Sequence, residues 1–221
     1  MWDHCAADRV DFFIANSKTV QERIKKYYRA DSKIIYPPVD TEKFHINPSS
    51  EKNYYLAIGR LTTYKKFDII VQAFNDLGLP IKIVGTGIEE NKLKKTARKN
   101  IEFLGHIQDK ELPQVYASAK ALIFPQIEDF GITPLESMAS GRPVIAYRMG
   151  GALETVMENK TGIFFEEQNA LSLAQAVREF EKNHEKFSPQ EIRKHAEKFS
   201  KENFKQKIIN YLEDILDRRP R

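Results

Sequence analysis

Short apolar runs alternate with stretches of helical period along most of the chain. "VDFFIAN" at 10–16 predicts a buried strand. Ser17 then stands as N-cap to "KTVQERIKKYY", whose Val20, Ile24 and Tyr27 share one face. "SKIIYPPVD" predicts a short strand stopped by Pro37 and Pro38, and the polar stretch "TEKFHINPSSEKN" at 41–53 has the composition of a linker. A second series opens with the strand "YYLAIG" at 54–59. It continues through the strands "IKIVG", "IEFLG", "KALIFP", "PVIAY" and "TGIFFE". Between them lie the helical patterns "FDIIVQAFNDLG", "EENKLKKTARKN", "DKELPQVYASA", "TPLESMASG" and "GALETVME", the first stopped by Gly78. From Ala170 onward the pattern is helical, with Ser188 as a cap and Pro189 at the first helical position of "SPQEIRKHAEKF".

Strands that are apolar throughout and separated by helices predict an α/β fold, a doubly wound, Rossmann-like parallel sheet covered on both faces. Such folds bind ligands beyond the carboxyl ends of their strands. The loops to inspect therefore follow Gly59, Gly85, Gly105, Pro125 and Tyr147.

In the first, "GRLTTYKKFD", Arg60 and Lys65 are two long cations that could clamp a diphosphate or simply be solvated. The second, "VGTGIEE", falls short of a dinucleotide fingerprint, so Gly85 and Gly87 read as a tight turn with room for a ligand to approach. In the third, "FLGHIQD", His106 has no orienting partner nearby in sequence and reads first as a surface histidine, with Asp109 starting the next helix. The fourth holds "QIEDFGITPLESMASGRP", in which Glu128 and Glu136 are separated by seven residues. Thr133, Pro134 and Glu136 have capping-box spacing, so Glu136 reads as a helix cap worth about 1 kcal/mol. Nothing structural demands Glu128, which is therefore free to accept hydrogen bonds from sugar hydroxyls. The amides of Gly131, Ile132 and Thr133 would face a phosphate at the helix start. The fifth loop, "YRMGGALETV", offers Gly150 and Gly151, equally readable as a phosphate approach or a tight turn.

Composition narrows the class. Over 221 residues, 41% hydrophobic and 30% charged content describes an ordinary globular chain with a real core. No run approaches the ~18 apolar residues of a membrane span, and the opening "MWDHCAADRV" lacks a signal-peptide h-region. The net charge of +4 suits an anionic ligand or membrane face, but intermixed lysines and glutamates account for it as solubility. No basic stretch interleaved with aromatics suggests nucleic acid. The single cysteine, Cys5, fits a reducing cytoplasm.

Taken in order, "GRLTTYK", "VGTG", "FLGHI", "FPQIEDFGITPLESMASGRPVIA", "GGALETV" and "TGIFF" resemble the retaining glycosyltransferases of the GT-B fold, family 4, over about residues 8–165. The glutamate pair matches that family's E-x7-E motif. The resemblance implies that Arg60 and Lys65 hold the donor diphosphate and that Glu128 contacts the donor sugar. It implies that Glu136 holds the ribose, that the amides around Gly131, Ile132 and Thr133 meet the phosphates, and that Gly105, His106 and Ile107 border the base, with Phe130 and Gly85 also expected among the substrate-binding residues. It implies no cofactor and metal-independent transfer, and no cluster of metal-ligand spacing is present in the sequence. Lys66 and Asp129 stand where the family often has glycine. "YPPVD" and the early "WD" resemble mannosyltransferases of cell-surface polysaccharide assembly, which favours GDP-mannose as donor.

By the same resemblance, residues 1–40 are the remnant of an N-terminal acceptor domain and 41–199 the nucleotide-sugar-binding domain. Residues 200–221 form a helix that returns to the N-terminal domain or packs on its own, through Phe204, Ile208, Ile209, Leu212 and Leu216. The expected partners are a nucleotide-sugar donor, a glycan or lipid-linked acceptor and a missing N-terminal domain. The expected location is the cytoplasm, including the inner face of the membrane. A non-catalytic nucleotide-sugar-binding module is the alternative.

Overall fold

In the computed structural model, which describes residues 2–48 and 53–218, the apolar runs become strands and the periodic segments helices. The chain begins with α1 (Trp2–Ala7), β1 (Phe13–Ala15), α2 (Lys18–Tyr28) and β2 (Ser32–Ile34). Then come β3 (Tyr54–Ile58), α3 (Phe67–Leu77), β4 (Ile81–Val84), α4 (Glu90–Thr96) and β5 (Ile101–Gly105). They are followed by α5 (Leu112–Ala117), β6 (Ala119–Phe124), α6 (Ile132–Ala139), β7 (Val144–Tyr147), α7 (Ala152–Thr155) and β8 (Gly162–Phe165). The tail is α8 (Ala170–Asn183), α9 (Pro189–Ala196) and α10 (Lys201–Arg218).

β3 to β8 form one parallel sheet in the order β5-β4-β3-β6-β7-β8. The chain winds outward from β3 to β5, crosses back, and winds the other way from β6 to β8. The reversal lies between β3 and β6, the point at which sheets of this kind bind their ligands. Both faces of the sheet are covered. Successive strand residues point to opposite faces, and Tyr54 and Tyr55 show it. The Tyr54 hydroxyl donates to the carbonyl of Val115 on α5 (2.9 Å), whereas Tyr55 packs edge-on against Phe74 of α3 and Phe180 of α8. Leu56, Ile83, Leu122 and Ile145 are fully buried between these layers. β1 and β2 pair in parallel as a separate two-stranded sheet, with Phe13 opposite Ser32.

Several boundaries differ from the sequence expectations. The strand expected over 10–16 shrinks to three residues, and Val10 and Phe12 are exposed. Ser17 caps α2 as expected, its Oγ accepting from the Val20 amide, but Tyr27 is exposed and Tyr28 instead stacks on Phe13. Asp109 does not start α5, which begins at Leu112; it pairs with Lys43 (2.6 Å). The stretch read as a linker holds a core residue: Phe44 is buried edge-on against Tyr116, and Arg193 donates to the carbonyls of Thr41 and Phe44. Residues 49–52 of that stretch, Met1 and 219–221 lie outside the described residues, as do the side chains of Trp2, Asp3, His4 and Arg218. On α10, Ile209, Leu212 and Leu216 are exposed.

Lys66 is the first informative departure from the resemblance. It follows a single 3₁₀ turn (Thr63–Lys65) and has φ 59° and ψ 35°, the left-handed region. A side chain there costs about 1–2 kcal/mol. Glycine would relieve that strain but would lose about 0.5–1 kcal/mol more backbone entropy on folding. Lys66→Gly should therefore stabilise the fold by about 0.5–1 kcal/mol, read as a higher urea midpoint at unchanged slope. A lower midpoint would contradict this account.

Candidate functional site

The topology delivers the first pair of site residues. Lys65 lies on the loop after β3 and Glu128 on the loop after β6, the two strands that flank the reversal. Lys65 Nζ and Glu128 Oε1 form an ion pair, with side-chain exposures of only 17% and 26%. At that depth the two charges hold each other, and removing one strands the other. The expectation that nothing structural demands Glu128 is thus corrected. Its carboxylate answers Lys65, and its carbonyl accepts from the Gly151 amide (2.8 Å). Arg60, just beyond β3, is exposed and makes no ion pair or hydrogen bond through its guanidinium among the described residues. One cation is held in reserve by an anion, and the other is free.

The capping-box reading of Glu136 is also corrected. α6 starts at Ile132, with Gly131 as its N-cap and no side-chain cap bond. Gly131 has φ 85° and ψ 95°, which glycine reaches most readily. Its missing Cβ would lie 3.0 Å from the Phe124 ring. That entry turn draws Thr133 inside the helix, so no hydroxyl waits at the cap for Glu136 to answer. The amides of Gly131, Ile132 and Thr133 meet no acceptor among the described residues. Gly151, by contrast, spends its amide on Glu128, which favours the tight-turn reading of that loop.

Glu136 turns toward α5. The buried Tyr116 hydroxyl donates to Glu136 Oε2 (2.6 Å). Burial pushes the Glu136 carboxyl up from its usual range, while the Tyr116 bond and the Lys43 charge pull it down. Burial and the adjacent carboxylate push Tyr116 well above the ordinary phenol range. No hydrogen bond or ion pair joins this cluster to Lys65 and Glu128 among the described residues.

The other sequence-predicted residues sort as follows. Gly85 donates its amide to the Gly105 carbonyl (2.7 Å), tying the tips of β4 and β5. His106 is exposed at that edge and Ile107 packs partly on the core. Phe130 is buried in a three-ring cluster with Tyr36 (centroids 5.3 Å apart) and Phe199 (6.0 Å), so only its backbone is available to a ligand. Asp129 has a partner that the sequence did not suggest: Arg23 on α2, at 2.7 Å. Beside it, both Glu154 oxygens accept from the Lys18 amide at the start of α2 (3.0 and 2.9 Å).

The profile of the family described as "Glycosyl transferases group 1" matches residues 38–214. The chain belongs to this family. It is 32% identical to the GDP-mannose-dependent alpha-(1-6)-phosphatidylinositol monomannoside mannosyltransferase of Mycobacterium tuberculosis, over 68% of this chain and 46% of that one. It is 27% identical to an uncharacterised glycosyltransferase of Methanocaldococcus jannaschii, over 96% of this chain and 62% of that one. The group 1 chain thus spans about half to three-fifths of the length of these relatives. Among solved structures, sucrose-phosphate synthase from Thermosynechococcus elongatus superposes with a TM-score of 0.85 at 20% identity, covering 97% of this chain and 61% of that one. HepE of Anabaena in complex with UDP and glucose superposes at 0.83 and 21%, covering 94% and 64%. These likenesses establish the GT-B type of fold for this group 1 chain.

Tyr116, Lys43, Arg23 and Glu154 were not singled out from sequence. Tyr116 left a usable signal: a tyrosine on an apolar helix face must find a partner for its hydroxyl once buried. The other three left none. Among the described residues no helix is long and apolar enough to cross a membrane, and no group of three or more His, Cys, Asp or Glu is placed to hold a metal ion. A cavity of about 430 Å³ between the 157–161 turn and α9 is lined by none of the site residues.

Proposed function

We propose that this chain carries the nucleotide-sugar donor site of a retaining glycosyltransferase, with GDP-mannose as the favoured donor and a glycan or lipid-linked acceptor. The observation that carries the reading is the Lys65–Glu128 pair at the sheet's reversal point, beside the free Arg60 and three unspent amides. An incoming diphosphate offers Lys65 a stronger anion than Glu128. As Lys65 turns to it, Glu128 is released to accept from the sugar hydroxyls. The bond between the sugar's anomeric carbon and the diphosphate oxygen then breaks with its electron pair on the departing nucleoside diphosphate. At the same time the acceptor's hydroxyl oxygen bonds that carbon on the same face and passes its proton to the departing diphosphate oxygen. Arg60, Lys65 and the amides of Gly131, Ile132 and Thr133 stabilise that growing charge. Glu136 takes the ribose, and Gly105 to Ile107 border the base. Metal-independent transfer belongs to the same proposal, since two cations and a helix start can supply the electrostatics.

The mannosyl preference rests on the Mycobacterium relative and on a 24% identical O-antigen chain mannosyltransferase of Escherichia coli. Both names also speak for an acceptor of the lipid or cell-surface glycan kind. In this reading residues 1–40 belong with an acceptor domain, 41–199 bind the donor, and 200–221 return toward the acceptor domain. Work at the cytoplasmic membrane face follows from the acceptor class.

The test is calorimetric titration with GDP-mannose, UDP-glucose and UDP-N-acetylglucosamine. GDP-mannose is expected to bind tightest. Absence of binding by every nucleotide and nucleotide-sugar at millimolar concentration would sink the donor-site reading. Binding without transfer in the enzyme completed by an acceptor domain would leave the non-catalytic module.

A further inference from the structure

Glu136 is a carboxylate with a neighbour chosen for it. Tyr116 is fully buried on α5, its ring held edge-on by Phe44, and its hydroxyl donates to Glu136 Oε2 at 2.6 Å. Burial and the Glu136 charge hold the Tyr116 phenol well above its ordinary range, so it stays protonated and donates to the ionised Glu136 carboxylate. The bond fixes a side chain that otherwise has three rotatable torsions. It leaves Oε1, and the second lone pair of Oε2, for outside donors. Among the described residues no other side chain is seen to hydrogen-bond this carboxylate.

We propose that Tyr116 is a specificity-determining positioning residue: its hydroxyl fixes the Glu136 carboxylate so that both hydroxyls of the donor's ribose are read together, making the site select ribonucleotides over deoxyribonucleotides. This rests on the donor-site reading above. A vicinal diol presents two O–H groups to one carboxylate, and it can use both only if the carboxylate plane is set. Removing one of the two hydroxyls then leaves a half-buried carboxylate position unpaired, worth about 1.5–3 kcal/mol or tenfold to a hundredfold in affinity. A carboxylate free to turn would satisfy a single hydroxyl nearly as well as a pair, and the discrimination would fall.

The ionisation of Glu136 gives the same residue a second readout. The groups facing it are Tyr116 on α5, Lys43 on the segment before β3, and Asp109 on the loop before α5. Burial and Asp109 raise its carboxyl, and the Tyr116 bond and Lys43 lower it. Loss of the Tyr116 bond therefore moves protonation to higher pH. Diol recognition, which needs the ionised form, is then lost at higher pH as well.

The experiment compares GDP with dGDP, and UDP with dUDP, on wild-type protein and Tyr116→Phe by calorimetry across pH, with inorganic diphosphate as a control. Wild type is expected to prefer the ribonucleotide by about tenfold or more, with the preference collapsing as pH falls while diphosphate binding holds. Tyr116→Phe should cut that preference about fivefold and shift its collapse to higher pH, at unchanged diphosphate affinity. A lowered melting temperature with the preference and its pH midpoint intact would make Tyr116 merely structural and overturn the inference while leaving the donor site standing. Equal binding of ribo- and deoxyribonucleotides by wild type, or a preference flat with pH, would overturn it together with the ribose role of Glu136. The wild-type titration alone decides the latter point, whatever the variant's stability.

Discussion

Lys65→Ala should weaken nucleoside diphosphate binding by about tenfold to a hundredfold, the 1.5–3 kcal/mol of a lost charge-assisted contact. Under the proposed reading, transfer measured with an acceptor domain supplied should fall by about 10²–10³-fold, because the same ammonium would face the charge that grows on the leaving group. The variant does more than delete a cation. It leaves Glu128, three-quarters buried, as an uncompensated anion beside the diphosphate. The double change Lys65→Ala with Glu128→Gln should therefore bind the diphosphate better than Lys65→Ala alone. Isothermal titration of GDP against the three proteins reads this directly. If both variants bind GDP as wild type does and differ only in melting temperature, the pair is a structural tie and the release mechanism is wrong.

Gly85→Ala should be the most damaging single methyl group on the chain. Gly85 has φ +129°, and a Cβ built on it would stand 1.9 Å from the Gly59 carbonyl oxygen. Backbone cannot yield as a side-chain tip can. The Gly59 amide is itself bound to the Val84 carbonyl (3.0 Å), and the Gly85 amide to that of Gly105. Three strand tips are locked around one missing side chain. A loss of about 4 kcal/mol or more is expected, a size reached only by core, strain or network damage. For a chain of this length that lowers the melting temperature by roughly 10 °C. The loss should be accompanied by weaker nucleotide binding, since Arg60 follows directly on Gly59. A melting point within a degree or two of wild type would show that the tips can separate freely.

The order of strands and helices was legible because each apolar run and each helical period is a local signal. The sheet order was not, for strands that run parallel meet only after a crossover, and nothing in "YYLAIG" names "KALIFP" as its neighbour. For the same reason Arg60, Lys65, Glu128 and Glu136 could be nominated by their place at strand ends. The Lys65–Glu128 pair spans sixty-three positions and had to be seen in space. The misread cap has a different cause. "TPLE" has the spacing of a capping box, but the chain enters α6 through Gly131 packed over Phe124, and tertiary packing overrode the local signal. Lys66 shows the opposite case: the resemblance marked it as an odd residue, and its left-handed backbone supplies the reason.

In the sequence Asp129 was a stray anion beside Glu128, and its bond to Arg23 gives it a structural meaning. α2 is moored at two points, by Arg23 to Asp129 on the loop after β6 and by the Lys18 amide to Glu154 on α7. The first mooring is solvent-exposed and so loosens as ionic strength rises. Asp129 is one peptide unit from Glu128, the carboxylate that Lys65 holds. Salt thus loosens one of the two ties that hold α2 against the segment carrying Glu128.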